Sequence, residues 1–100
     1  MGQALIDFGK PSLHAQFLTF HRANPHVYRA LRDLALDLKR RGRDSWGIGG
    51  LFEVLRWQRA MTTTDAEFKL NNNLRAYYSR YLMQHEPELA GFFETREIRG

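Results

Sequence analysis

The stretch NPHVYRALRDLALDLKRRG, residues 24–42, carries the strongest structural signals of the chain. Asn24 is a favoured N-cap, and Pro25 stands at the first helical position, where its missing N–H leaves no hydrogen bond unmade. Large apolar residues follow at spacings of four, three and four, at Val27, Leu31, Leu34 and Leu38. Gly42 can take the left-handed conformation that ends a helix. The stretch therefore predicts an amphipathic helix and a mainly helical fold.

Upstream of this stretch, a shorter helix is expected. Ser12 can cap a helix that runs to about Ala23, with Leu13, Phe17 and Phe20 on one side. Residues 1–11 show no clear periodicity, and we expect them to form a flexible or extended arm.

Downstream, Asp44 or Ser45 can cap a third helix that extends through Ala60. Apolar residues occupy most of its circumference, which predicts the central and most buried helix. Three glycines, at 47, 49 and 50, fall in its first turn. Since each disfavours a helix by about 1 kcal/mol, they indicate that another group approaches the backbone closely there.

The periodicity stops near residues 61–70, where threonines and alternating apolar residues favour a short β-hairpin or an ordered loop. One of Asn71, Asn72 and Asn73 should then cap a helix that reaches Gln84. Pro87 marks a fifth helix, anchored on the core by Leu89, Phe92 and Phe93. The whole chain, residues 1–100, is thus predicted to be a single compact domain of about five helices. Its second and third helices form a helix-turn-helix-like core.

Composition limits the classes of function. The chain has 43% hydrophobic residues, enough for one core, and no cysteine, which excludes disulfides and thiolate metal sites. It contains neither a long apolar run nor a signal-peptide pattern, so we expect no membrane association and a cytoplasmic location.

The charge is mildly basic, with 15 Lys and Arg against 11 Asp and Glu. Most of the cations are arginines, whose planar guanidinium suits phosphate. They cluster around the turn between the second and third helices, and the residues after the third helix could form a wing. The candidate contacts to double-stranded DNA are Arg40, Arg41, Arg43, Arg56, Arg59, Lys69, Asn72 and Arg75.

Aromatic residues favour a different partner. Two tryptophans, the tyrosines near residue 78, Phe92 and Phe93 exceed what a small core is expected to hide. Exposed aromatic and arginine side chains concentrate binding energy at protein interfaces. The third helix also offers few polar side chains for reading DNA, and the alternative interpretation of it is a buried helix between two packing partners. The tyrosines interleave with Arg75 and Arg80, but their spacing favours a core role over stacking on single-stranded nucleic acid.

No pattern indicates an enzyme, a cofactor or a metal site. The histidines at 14, 21, 26 and 85 lack carboxylate partners at ligand spacing. Glu67 and Lys69 match half of a magnesium-dependent nuclease motif, but so short a pattern is common by chance, and the predicted helices lack the sheet that displays it.

Several segments resemble a family of small, uncharacterised proteins encoded by bacteriophages and prophages. The resemblance rests on FHRANPHVYRALRDLALDLKRRGR, GLFEVLRW, FKLNNNLRAYYSRYLM and PELAGFFETRE, which cover most of residues 20–97. It implies a protein of a bacterial cytoplasm and transfers no activity to particular residues. Two hypotheses follow: a helix-turn-helix-like DNA-binding protein such as a phage regulator, or an adaptor or inhibitor of a host or phage protein, with a homodimer as one form.

Overall fold

The computed structural model describes residues 12–62 and 70–93, most of which are helical. The α-helices are α1 (Leu13–Ala23), α2 (Pro25–Arg40), α3 (Ile48–Thr62) and α4 (Arg75–His85). Short 3₁₀ turns lie before and after α4, at Asn72–Leu74 and Pro87–Leu89. The predicted mainly helical class is confirmed, with one difference. The expected fifth helix is only the 3₁₀ turn at Pro87–Leu89, after which Gly91 takes a left-handed φ of +74°.

Asn24 joins α1 to α2, although not in the expected way. The Oγ of Ser12 accepts a hydrogen bond from the Ala15 N–H at 3.1 Å, so the predicted cap of α1 is confirmed. Asn24 stands at the N-cap of α2, but its side chain caps no N–H there. Its Nδ2 instead donates to the carbonyl oxygen of Phe20 at 3.1 Å, and thereby closes α1.

The end of α2 is a Schellman motif built on Gly42. This glycine has a φ of +96°, and its N–H donates to the Lys39 carbonyl at 3.0 Å. The N–H of Arg43 donates to the Leu38 carbonyl at 3.1 Å, which completes the motif. The predicted stop at Gly42 is confirmed.

The connection from α2 to α3 is longer than predicted, because α3 begins at Ile48 and neither Asp44 nor Ser45 caps it. Trp46 is extended instead, with its N–H donating to the Phe92 carbonyl at 3.1 Å and its backbone paired in parallel with Phe93. This isolated bridge is the only β pairing among the residues that the structure describes. The connection, residues 41–47, exceeds the about three to four residues usual in a helix-turn-helix.

The region predicted as a hairpin or loop is only partly visible. Helix α3 continues to Thr62, so Met61 and Thr62 are helical and cannot start a hairpin at residue 61. Residues 63–69 lie outside the described part of the chain, as does the predicted arm at 1–11.

All four helices share one core with the two 3₁₀ turns. At its centre Tyr78 of α4 is fully buried, with its ring edge-on to Phe17 at 4.9 Å and to Phe52 at 6.0 Å. Leu89, Phe92 and Phe93 are also buried, so the predicted anchoring of this segment is confirmed. None of the helices in the described ranges is both long and apolar enough to cross a membrane.

Candidate functional site

Helix α3 leaves one apolar side open to solvent. Trp57 is 68% exposed, Val54 is 41% exposed and Trp46 is 37% exposed. Gly50, Val54 and Trp57 are spaced by four and three residues and therefore lie on one side of the helix. The indole of Trp46 lies against Gly50, where an added Cβ would stand 3.0 Å from its Nε1. We call Trp46, Gly50, Val54 and Trp57 the α3 face.

The opposite side of α3 accounts for this exposure. Leu51, Phe52 and Leu55 are buried in the core. The sequence predicted a helix that is buried around most of its circumference, but the neighbouring helices cover only the side with these three residues. The apolar residues off the buried stripe, Val54 and Trp57, remain uncovered among the described residues.

The glycines at the start of α3 leave room for two large side chains to pack against the helix backbone. A Cβ on Gly49 would stand 2.9 Å from Nη1 of Arg75, and one on Gly50 would meet Trp46. Since side chains at these positions would force their neighbours to move, the predicted close approach to the backbone is confirmed. Apart from its chain neighbours, no described residue has an atom within 4 Å of the position that a Cβ on Gly47 would take. The close approach to the backbone is therefore confined to Gly49 and Gly50.

Two arginines border the α3 face at the start of the helix. The guanidinium of Arg43 lies over the Trp46 ring, 5.6 Å from its centroid, at the distance of a cation–π contact. Arg75 packs against Gly49, and its Nε donates to the Asn72 carbonyl at 3.2 Å. The first turn of α3 thus brings together two of the predicted DNA contacts, which are far apart in sequence.

The arginines at the end of α2 are exposed but accompanied by carboxylates. Arg41 is paired with Asp37 at 3.0 Å, one turn earlier on the same helix. Arg40 lies 4.0 Å from Glu88, which belongs to the turn after α4. These exposed pairs reduce the local excess of positive charge without removing the guanidinium groups from solvent.

Arg56 has an internal role instead of an exposed one. Its Nη2 donates to the Leu70 carbonyl at 2.6 Å and to Oδ1 of Asn72, while Nη1 pairs with Glu53. The Arg56 side chain is only 29% exposed. It therefore fastens the segment before α4 to the side of α3.

The three asparagines divide their roles. Asn71 accepts a hydrogen bond from the Asn73 N–H at 2.8 Å and caps the 3₁₀ turn that leads into α4. Asn72 is bonded to Arg56. The remaining predicted contacts are Arg59, half-buried on α3, and Lys69, which lies outside the described residues.

The histidines of α1 are engaged with aromatic rings. His14 stacks on Tyr77 at 5.7 Å, and His21 stacks on Phe17 at 5.7 Å. Burial, helped by the nearby His85, lowers the pKa of His21, which favours the neutral imidazole. Within residues 12–62 and 70–93, no three His, Asp or Glu side chains are grouped to hold a metal ion.

Sequence reasoning overlooked the α3 face as a unit. Two features of the sequence could have identified this face. Val54 and Trp57 lie off the apolar stripe that predicts burial, and the chain has a surplus of aromatic residues. The position of Trp46 beside Gly50 depends on the bridge to Phe93 and has no local signal. Comparison of the chain with protein-family models, curated proteins and solved structures finds no match.

Proposed function

We propose that the protein is a non-catalytic binding module, an adaptor or inhibitor that docks on another protein through the α3 face. The observation that carries this proposal is the exposure of Trp57, 68%, beside an exposed Val54 on the same side of α3. Tryptophan and arginine dominate the energetics of protein interfaces, and the α3 face has two tryptophans bordered by Arg43 and Arg75. The resemblance to phage and prophage proteins supports a bacterial cytoplasm as the location.

Trp57 would supply a large single share of the free energy of docking at the α3 face. Burying an indole that is 68% exposed removes on the order of 100–150 Å² from water. At about 25 cal/mol per Å², Trp57 alone would contribute about 3 kcal/mol before the costs of association. Val54 and Trp46 would extend the contact along the helix.

The charges around the α3 face specify the partner's chemistry. Arg43 and Arg75 lie at one end of the face, while the carboxylate of Glu53 is neutralised by Arg56. The chain has a formal net charge of +4. A complementary partner therefore presents an apolar ridge next to acidic side chains.

The change Trp57→Ser tests the proposal, since it removes the largest exposed ring without disturbing the core. We expect the affinity for the partner to fall at least tenfold, as for other central interface tryptophans. The matched control is Leu13→Ser, which alters an exposed apolar residue on α1 that is 41% exposed. Wild type and each variant are immobilised and exposed to nuclease-treated bacterial host lysate. Mass spectrometry then quantifies the proteins that each one retains.

The proposal requires a protein that wild type and Leu13→Ser retain and that Trp57→Ser loses. Retention of the same proteins by all three variants would contradict it. A second copy of the chain is a further partner that the α3 face could accept. Sedimentation velocity identifies that case, because Trp57→Ser would then convert a dimer to a monomer.

A second candidate function is binding of double-stranded DNA by the connection from α2 to α3. The observation that favours it is the exposure of Arg40, Arg41 and Arg43 close to the first turn of α3, where Arg75 also lies. Backbone N–H groups at a helix start and guanidinium groups both suit phosphate. The apolar Val54 and Trp57 on the outward side of α3 are poorly suited to reading base edges, which ranks this candidate second.

The DNA candidate predicts a strong dependence of affinity on salt. With three phosphates neutralised, the affinity for mixed-sequence duplex DNA should fall roughly 40-fold between 50 and 200 mM salt. The double change Arg40→Gln and Arg43→Gln should flatten this dependence, while Arg29→Gln, an exposed arginine elsewhere on α2, should alter it less. Fluorescence anisotropy measures both effects, and absence of binding at 50 mM salt would refute the candidate.

A further inference from the structure

A groove runs between α1 and α4, away from the residues of the α3 face. Its volume is about 360 Å³, near the lower end of the range for small-molecule sites. None of its lining residues belongs to α2 or α3. They are His14 and Phe17 of α1, with Tyr77, Arg80, Tyr81 and Gln84 of α4.

One wall of the groove is a set of aromatic rings that the core holds in place. The ring of Tyr77 is nearly parallel to those of His14, at 12°, and Phe17, at 20°, and each centroid lies 5.7 Å from that of Tyr77. Phe17 is 2% exposed, and Tyr81 packs against it at 5.6 Å. Packing on the core therefore holds Phe17 and Tyr81 before any ligand arrives, which limits the entropy that binding would cost.

The other lining groups are a cation and an amide. Arg80 and Gln84 are four residues apart on α4 and so lie on the same side of the helix. Both side chains are exposed, and Arg80 forms no ion pair with any residue in the described ranges. A guanidinium without a carboxylate partner favours phosphate, and the Gln84 amide can both donate and accept.

We propose that this groove binds one nucleoside monophosphate, with the base against the ring wall, its edge on Gln84 and its phosphate on Arg80. Stacking on aromatic side chains suits every base because each has a π-face. A duplex would hide the base edges and faces that these groups contact, so the ligand is a free nucleotide or one unit of a single strand. The site is independent of docking through the α3 face.

The proposal is tested by titrating the folded protein with four probes: adenosine 5′-monophosphate, adenosine, inorganic phosphate and a four-residue single-stranded oligodeoxyadenylate. Chemical shifts of the His14 and Tyr77 rings report binding in the groove. Adenosine 5′-monophosphate should bind at least tenfold more tightly than adenosine or phosphate, because only it engages both the rings and Arg80.

The variant Arg80→Gln separates the phosphate contact from the contact of the base with the rings. Arg80→Gln should weaken binding of adenosine 5′-monophosphate about tenfold and leave adenosine unchanged, since it removes only the phosphate contact. The matched control is Arg22→Gln, an exposed arginine on α1 that does not line the groove, and it should bind like wild type. Circular dichroism confirms that each variant is folded.

The oligonucleotide identifies the source of the ligand. Tighter binding of the strand than of the monophosphate, with competition between them, would identify single-stranded nucleic acid, and the reverse order would identify a free nucleotide. The proposal is overturned if adenosine 5′-monophosphate causes no shift of the groove rings or if Arg80→Gln binds it as well as wild type. Trp57→Ser should leave these titrations unchanged. The experiment can therefore refute nucleotide binding in the groove without bearing on the α3 face as a docking surface.

Discussion

Replacing Phe52 with alanine should lower the free energy of unfolding by about 3–5 kcal/mol. The ring of Phe52 is fully buried on α3, lies edge-on to Tyr78 at 6.0 Å and is covered by the guanidinium of Arg56, 5.9 Å from its centroid. Alanine would leave a cavity between α3 and α4 that the buried Tyr78 cannot easily fill. Because small domains are stable by about 5–15 kcal/mol, this single change should remove a large part of the total.

Urea denaturation followed by circular dichroism measures this effect. The matched control is Val54→Ala, two residues further along α3 but 41% exposed, and it should change stability by less than about 1 kcal/mol. A loss for Phe52→Ala no greater than that for Val54→Ala would show that α3 packs with a different side toward the core.

The change Arg56→Ala should cost about 1.5–3 kcal/mol, although the residue is charged and partly exposed. It leaves the Leu70 carbonyl and the Asn72 Oδ1 without this donor and removes the polar contact between α3 and the segment before α4. Arg56→Lys should recover only part of the loss, because a single ammonium cannot reproduce the geometry of the guanidinium.

A double-mutant cycle of Arg56→Ala with Asn72→Ala isolates this contact. We expect the two changes to be non-additive by about 0.5–1.5 kcal/mol, since each removes the same hydrogen bond. Arg41→Ala is the control, because its exposed pair with Asp37 should be worth only about 0.3–0.5 kcal/mol. Strict additivity of the two changes would contradict the structural role of Asn72. The same role would be contradicted if the Asn72→Ala protein were as stable as wild type but no longer captured the partner.

The elements that the sequence predicted well depend on neighbouring residues. Ser12 bonds three residues ahead, and Gly42 closes α2 through bonds to Lys39. Both are local motifs whose physical cause lies within one turn of helix. The helical class and the limits of α1 and α2 follow from such local signals.

The features that sequence reasoning got wrong depend on contacts between distant residues. The late start of α3 results from the pairing of Trp46 with Phe93, and no residue near Trp46 signals it. Contacts within the candidate site likewise depend on residues that are distant in sequence. The arginine cluster in the sequence predicted Arg56 as a cation for a ligand, while its bonds to the Leu70 carbonyl and Asn72 form only in the tertiary structure.

The bridge between Trp46 and Phe93 also bears on how this chain emerges from the ribosome. A nascent chain that stops short of Phe92 lacks the carbonyl that accepts the Trp46 N–H, and the buried rings of Phe92 and Phe93 are missing from the core. Helices α1 to α3 would then be synthesised with their apolar sides still partly uncovered, a condition that invites chaperone binding or aggregation. Co-translational folding should therefore be incomplete until residue 93 has left the exit tunnel.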